Sequence, residues 1–237
     1  RTLRKLKNEY RIYAPVHRPD RGRWETDGLI RYQEISSLEE IVTDRQSDFS
    51  PKEVIFPVSQ PIFKFDEDTC RESVSSDPKG IIIFARPCDV NGLKRLDNMF
   101  LANGGVADTY YSRNRSRVKI FMMECEQSWD NCFCVSMKTN KADYYSVACR
   151  LSGNEILLKI KDAEFAEYFD WAKTCEYEPQ FIMENERKVT VPEITDSAML
   201  RQIADLDMWK DYDDKCISCG GCNTVCPTCS CFETVDF

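Results

Sequence analysis

Six of the 13 cysteines in this 237-residue chain fall in its last 22 residues. They read Cys216-Ile-Ser-Cys219-Gly-Gly-Cys222-Asn-Thr-Val-Cys226-Pro227-Thr-Cys229-Ser-Cys231, and the first four keep the spacing C-x2-C-x2-C-x3-C-P. Three thiolates so close together can converge on one centre from a single tight turn, and the fourth follows one helical turn later. That pattern is the one that holds a [4Fe–4S] cluster. Gly220 and Gly221 carry no Cβ, so the backbone can approach such a group and aim amide N–H groups at its sulfurs. Pro227 turns the chain away.

Two other chemistries compete for the same cysteines. Structural zinc favours two separated C-x-x-C pairs or histidine partners, and the only histidine, His17, is remote in sequence, in the loop-like stretch Pro15–Pro19. A disulfide framework suits a secreted domain of fewer than roughly 80 residues, whereas this chain is long enough for an ordinary core. Within the iron–sulfur reading the site looks incomplete. In two-cluster ferredoxins the fourth cysteine of each run serves the other cluster, so Cys216, Cys219 and Cys222 would want a ligand from a second run. Either Cys226 closes the same cluster, or Cys229 or Cys231 substitutes, or the protein continues beyond Phe237. The last is preferred, because the chain also opens on Arg1 in what reads as mid-helix.

With 32 basic and 40 acidic residues the net charge is −8, to which thiolate-bound clusters add more negative charge. That disfavours a nucleic-acid surface. The short basic segment from Ser112 to Lys119 reads as a solvated face. Apolar runs such as Ile81 to Ala85 are far below the roughly 20 residues that span a bilayer. No membrane span is expected, and cluster-forming thiols point to the reducing cytoplasm.

The pattern of the chain predicts a mixed sheet with flanking helices, an α+β core over residues 1–194, and an all-helical ferredoxin-like appendage over residues 195–237. Strands are expected at Val54–Val58, Gly80–Ala85, Arg117–Met123, Cys132–Ser136, Tyr144–Arg150, Ile156–Ile160 and Lys188–Val191. Helices are expected at Arg1–Tyr13, Val90–Phe100 and Ala163–Lys173, with another after Asp196, which can cap it.

A second set of cysteines lies upstream. Cys88 sits at the joint between a buried strand and the next helix, Cys125 just past the strand ending at Met123, and Cys132 and Cys134 form a C-x-C pair. On an extended segment both sulfurs of such a pair face one side. Four thiols are the right number and kind for another iron–sulfur cluster; the alternative is small buried hydrophobes. Cys88 alone, at a helix N-terminus near Arg86, could instead be a low-pKa nucleophile. Cys70, Cys149 and Cys175 are isolated.

Several segments together resemble a known family: Tyr10-Arg-Ile-Tyr-Ala-Pro15, Leu29-Ile-Arg-Tyr-Gln-Glu-Ile-Ser36, Ser50-Pro-Lys-Glu-Val54, Arg86-Pro-Cys-Asp89, Lys94-Arg-Leu-Asp97, Cys132-Phe-Cys-Val-Ser-Met137 and Cys226-Pro-Thr-Cys-Ser-Cys-Phe232. They resemble the iron–sulfur electron-transfer subunits of the anaerobic sulfite reductases, whose wider relatives are the beta subunits of sulfhydrogenases. The resemblance implies a non-catalytic electron-transfer component that relays electrons from a flavin subunit oxidising NADH to a sirohaem subunit reducing sulfite. It also implies two C-terminal cluster runs, of which only the first is present, with Cys226 serving the second cluster. Two departures stand out: Gly221 in Cys219-Gly-Gly-Cys222 where relatives often carry arginine, and Lys138 in place of a frequent glycine.

A beta-type hydrogenase subunit is the second reading, and a cysteine-rich zinc-binding interaction module the third. No G-x-G-x-x-G, G-x-x-x-x-G-K or H-E-x-x-H motif supports nucleotide or hydrolytic chemistry in the chain itself.

Overall fold

The computed structural model describes residues 2–19, 27–74, 77–153 and 155–235. Arg1 and Phe237, on which the reading of a longer protein leaned, lie outside them. A six-stranded mixed sheet forms the centre, in the order β2 (Leu29–Glu34), β1 (Tyr10–Arg18), β5 (Gly80–Ala85), β6 (Val118–Met123), β7 (Val147–Ser152), β8 (Glu155–Ile160). The neighbours β1, β5, β6 and β7 run parallel, and β2 and β8 are antiparallel edges. Strands β3 (Phe63–Phe65) and β4 (Cys70–Glu72) pair separately. The expected mixed α+β architecture is thus what the chain adopts.

The parallel strands are apolar on both faces because both faces are covered. Ile83, Ala85, Ile120 and Met122 point to one side, where Val90, Leu93 and Leu96 of α3 (Pro87–Asp97), Phe100, and Tyr111 of α4 (Thr109–Arg115) meet them. Ile82, Phe84, Phe121 and Met123 point to the other, against Leu6 of α1 (Thr2–Glu9) and Phe165 in a 3-10 segment over Ala163–Phe169. The alternation along β5 and β6 follows from the two-residue period of a strand. Phe165 is fully buried and meets Phe121 edge to face with ring centroids 4.9 Å apart.

Several elements differ from the sequence expectation. Val54–Val58 is not a strand: α2 covers Lys52–Ile55, started by the Ser50 hydroxyl accepting from Lys52 N–H and by Pro51 ahead of it, and proline there is pre-set for helix. Cys132–Ser136 is a series of turns, closed by Met137 N–H to Phe133 O and Thr139 N–H to Cys134 O. Lys188–Val191 forms no strand. The first helix ends at Glu9 and the chain continues as β1, which takes His17 out of the expected loop and into the sheet. The last helix is split into α5 (Ser197–Ala204) and α6 (Met208–Asp213). Asp196 does cap α5, accepting from Met199 N–H at 2.8 Å, and the break is closed by the Trp209 indole donating to Ile203 O at 2.6 Å. Among the described residues no helix is long and apolar enough to cross a membrane.

Candidate functional site

Cys88 and Cys125 follow the carboxyl ends of the neighbouring parallel strands β5 and β6, the end of an α/β sheet where ligands bind. Cys88 is the second residue of α3, and Cys125 lies two residues past β6. The turns after β6 bring Cys132 and Cys134 back to the same place, so that Cys88 feels the charges of Cys125 and Cys134, and Cys125 those of Cys132 and Cys134. It is turns, not an extended strand, that gather the C-x-C pair. Cys88 is reachable from solvent yet is crowded by protein. Burial, reinforced by Asp89, raises its pKa well above that of a free thiol, and the opposing charge of Arg86 is outweighed. The nucleophile alternative for Cys88 needs a lowered pKa, and this balance runs the other way. Burial likewise pushes the Cys125 thiol up to about 12.

The surroundings of these thiols are organised. Gln46 Nε2 donates to Cys132 Sγ at 3.1 Å. Asn185 accepts from Val135 N–H through Oδ1 at 2.9 Å, which turns its Nδ2 toward Ser128 Oγ at 3.0 Å and Cys134 Sγ at 3.5 Å. Arg86, 6% exposed, lies over the Trp129 ring at 4.7 Å and donates to Arg45 O at 2.5 Å, while Trp129 Nε1 donates to Asp44 O. The loop carrying Gln46 is thereby pinned over the cysteines. Asp89 accepts from Tyr32 OH at 3.0 Å and from Arg86 N–H at 3.2 Å. Sequence reasoning found the four cysteines but missed Gln46 and Asn185, because nothing in their local sequence marks them.

Lys138 closes the turn after Cys134 with φ of +57°, a left-handed conformation that costs a residue with a Cβ about 1–2 kcal/mol. This gives a physical reason for the glycine expected there. Lys138→Gly removes that cost but adds unfolded-state freedom worth about 0.5–1 kcal/mol. A net gain of about 0.5–1 kcal/mol is expected in urea unfolding; a less stable variant would contradict the reading of this turn.

The C-terminal cysteines are placed differently. Cys216, Cys219 and Cys222 lie exposed before and on α7 (Gly221–Val225), with Ser218 and Gly220 both at positive φ. Cys226 ends α7 and bonds with the next turn. Burial works against its thiolate, but hydrogen bonds from the side chains and backbones of Thr228 and Cys229 prevail and lower its pKa. Among the described residues, no three cysteine, histidine or carboxylate side chains stand close enough together to hold a metal ion as they are. The structure nevertheless brings thiols within electrostatic reach of one another in two neighbourhoods, 88/125/132/134 and 226/229/231. Cys149 is buried in β7, while Cys70 and Cys175 are exposed.

The C-terminal segment is docked on the core beside α3. A Cβ on Gly92 would fall 2.8 Å from Pro227 Cβ, so glycine is required for this approach. Gly92 lies four residues after Cys88, on the same helix face, so Pro227 packs one turn along α3 from Cys88. Phe232 meets Phe56 edge to face at 6.1 Å. In donor chemistry the residues fit a thiolate-held iron–sulfur group: soft sulfur ligands, with N–H donors directed at sulfur in both neighbourhoods.

Over 98% of its length the chain is 28% identical to the sulfhydrogenase 2 subunit beta of Pyrococcus furiosus, of which it spans 70%. No protein-family profile matches the chain. No solved structure matches it.

Proposed function

We propose that this chain is an iron–sulfur electron-transfer subunit of a multisubunit oxidoreductase of the hydrogenase type. The observation that carries the reading is the near full-length similarity to a sulfhydrogenase beta subunit in a chain with 13 cysteines and a C-x2-C-x2-C-x3-C-P run. Cys216, Cys219, Cys222 and Cys226 are proposed as ligands in the C-terminal run, with Cys226 available to a second cluster, and Cys88, Cys125, Cys132 and Cys134 as ligands of a further one. When bound, such clusters supply one-electron storage and release, over a range of potentials of roughly −700 to +450 mV.

The work of the protein is then to hold thiolates, exclude water and place charge. Gln46 and Asn185 direct N–H donors at the sulfurs of Cys132 and Cys134, which draws electron density from them. Gly92 lets the Cys226-Pro227 turn lie one helical turn from Cys88, so that the two cysteine neighbourhoods are close enough to form successive steps of one path.

A second reading keeps the same relay but places it in an anaerobic sulfite reductase, between a flavin subunit oxidising NADH and a sirohaem subunit. The paired segments Cys132-Phe-Cys-Val-Ser-Met137 and Cys226-Pro-Thr-Cys-Ser-Cys-Phe232 favour it. Anaerobic isolation of the complex separates the two: nickel in a partner supports the first, sirohaem absorbance the second. The relay itself is tested on the full chain, reconstituted anaerobically and reduced with dithionite. Iron and acid-labile sulfide together with a reduced-cluster EPR signal are expected. Tightly bound zinc without any such signal would replace the relay with a zinc-binding interaction module.

A further inference from the structure

Lys52 is 5% exposed, and its environment differs from that of an ordinary buried lysine. Its Nζ donates to Asn223 O at 2.5 Å and to Cys229 O at 3.1 Å. Among the described residues it makes no ion pair with a carboxylate. Two neutral carbonyls occupy two of an ammonium's three protons but leave most of its charge uncompensated, and burying a charge is costly unless an opposite charge accompanies it.

The two carbonyls bracket the turn that carries Cys226, three residues to either side. Cys229 feels the Lys52 charge directly, along with those of Cys226 and Cys231. The clamp is built from one short element. Lys52 opens α2 and Phe56 follows its last residue, bonded back to Lys52 O at 2.7 Å, and both touch the C-terminal segment, Lys52 at residues 223 and 229 and Phe56 at Phe232. From the other side, Gly92 admits Pro227. The ammonium is therefore held at a fixed position against the turn that carries Cys226 and Cys229.

We propose that Lys52 is the fixed counter-charge of the C-terminal iron–sulfur site: a positioning residue that fastens the 223–229 turn through its two carbonyls and, by its charge, favours the reduced state of the cluster bound there. The proposal rests on the iron–sulfur reading of the C-terminal run. One-electron reduction adds one negative charge near the Cys226 turn, and no bond breaks. A positive charge immobilised in a poorly solvated place stabilises that added charge more than a mobile surface lysine would.

The test is an EPR-monitored redox titration of the full-length reconstituted protein, comparing wild type with Lys52→Met, Lys52→Gln and Lys52→Arg. Both neutral variants are expected to bind reductant-derived electrons at least tenfold less favourably at the C-terminal cluster, a fall in midpoint of about 59 mV or more for a one-electron couple. Lys52→Arg keeps the charge and should stay near wild type. The cluster at Cys88, Cys125, Cys132 and Cys134 serves as an internal reference that does not move. An unchanged midpoint in a neutral variant that retains its iron and sulfide overturns the proposal. If both neutral variants lose the C-terminal cluster while Lys52→Arg keeps it, the counter-charge is supported; if all three lose it, Lys52 is a packing residue and the proposal falls. A wild-type protein that takes up no iron and sulfide defeats the iron–sulfur reading itself, a result distinct from any of these.

Discussion

In the full-length protein, the pair of changes Cys132→Ser and Cys134→Ser is expected to remove about four irons and four sulfides, and the pair Cys219→Ser and Cys222→Ser a separate set. The reason is geometric in the first case and sequential in the second. Turns bring Cys134 within electrostatic reach of Cys88 and both Cys132 and Cys134 within reach of Cys125, with Gln46 and Asn185 donating to the two sulfurs. Serine keeps the size but is a poor ligand for iron that prefers soft thiolate. The exposed Cys219 and Cys222 owe their assignment to spacing alone. Cys175→Ser, at an exposed cysteine proposed as a ligand of neither set, serves as the control and should leave the metal content intact. The measurement is iron, sulfide and zinc per chain after anaerobic reconstitution. If the Cys132/Cys134 pair changes no metal content and leaves the unfolding curve in place, these thiols are ordinary packing residues and the upstream cluster does not exist.

Much of this site was legible before the fold was known, and the remainder was not for physical reasons. Cysteine spacing is a local signal, so the C-terminal run declared itself. The apolar run Gly80–Ala85 reads directly as a strand because burial on both faces leaves no charged residue in it. The interior strand β1 and its edge neighbour β2 carry a weaker signal, since Tyr10–Arg18 mixes polar with apolar residues and follows a helix without a break. The turn around Cys132 reads as a strand in the sequence because its aromatic and β-branched residues suit a strand equally well; in the fold local turn bonds close it and the long-range hydrogen bonds of Asn185 and Gln46 hold it in place. Lys52 was invisible for the same reason: its partners are backbone carbonyls more than 170 residues away, and no sequence motif records them.

Asp97→Ala is expected to destabilise the fold by about 3–5 kcal/mol, the range for removing one partner of a buried ion pair. Asp97 ends α3 and Arg115 ends α4, with side chains 18% and 8% exposed, respectively, and Nε to Oδ1 at 2.8 Å. Tyr111 OH also donates to Asp97 Oδ1 at 2.7 Å. Arg115 has little other support: Nη1 reaches Val118 O at a long 3.4 Å, its guanidinium lies 5.4 Å from the centre of the Tyr144 ring, and Nη2 has no hydrogen-bond partner among the described residues. Removing the carboxylate therefore strands a buried cation and a buried phenol together. If the loss comes from the stranded charge rather than from lost contacts, Arg115→Met in the Asp97→Ala background should recover part of it, since methionine fills the space without needing a counter-charge. Urea unfolding of the two single variants and the double variant supplies the cycle. A double variant less stable than Asp97→Ala would show that Arg115 contributes packing beyond its charge. A single variant costing under about 1 kcal/mol would mean that the pair is solvated like a surface salt bridge. Because α3 carries Cys88 in its first turn and Gly92 against Pro227, the pair at its far end also fixes the helix on which both cysteine neighbourhoods depend, and metal retention should fall in step with stability in this series.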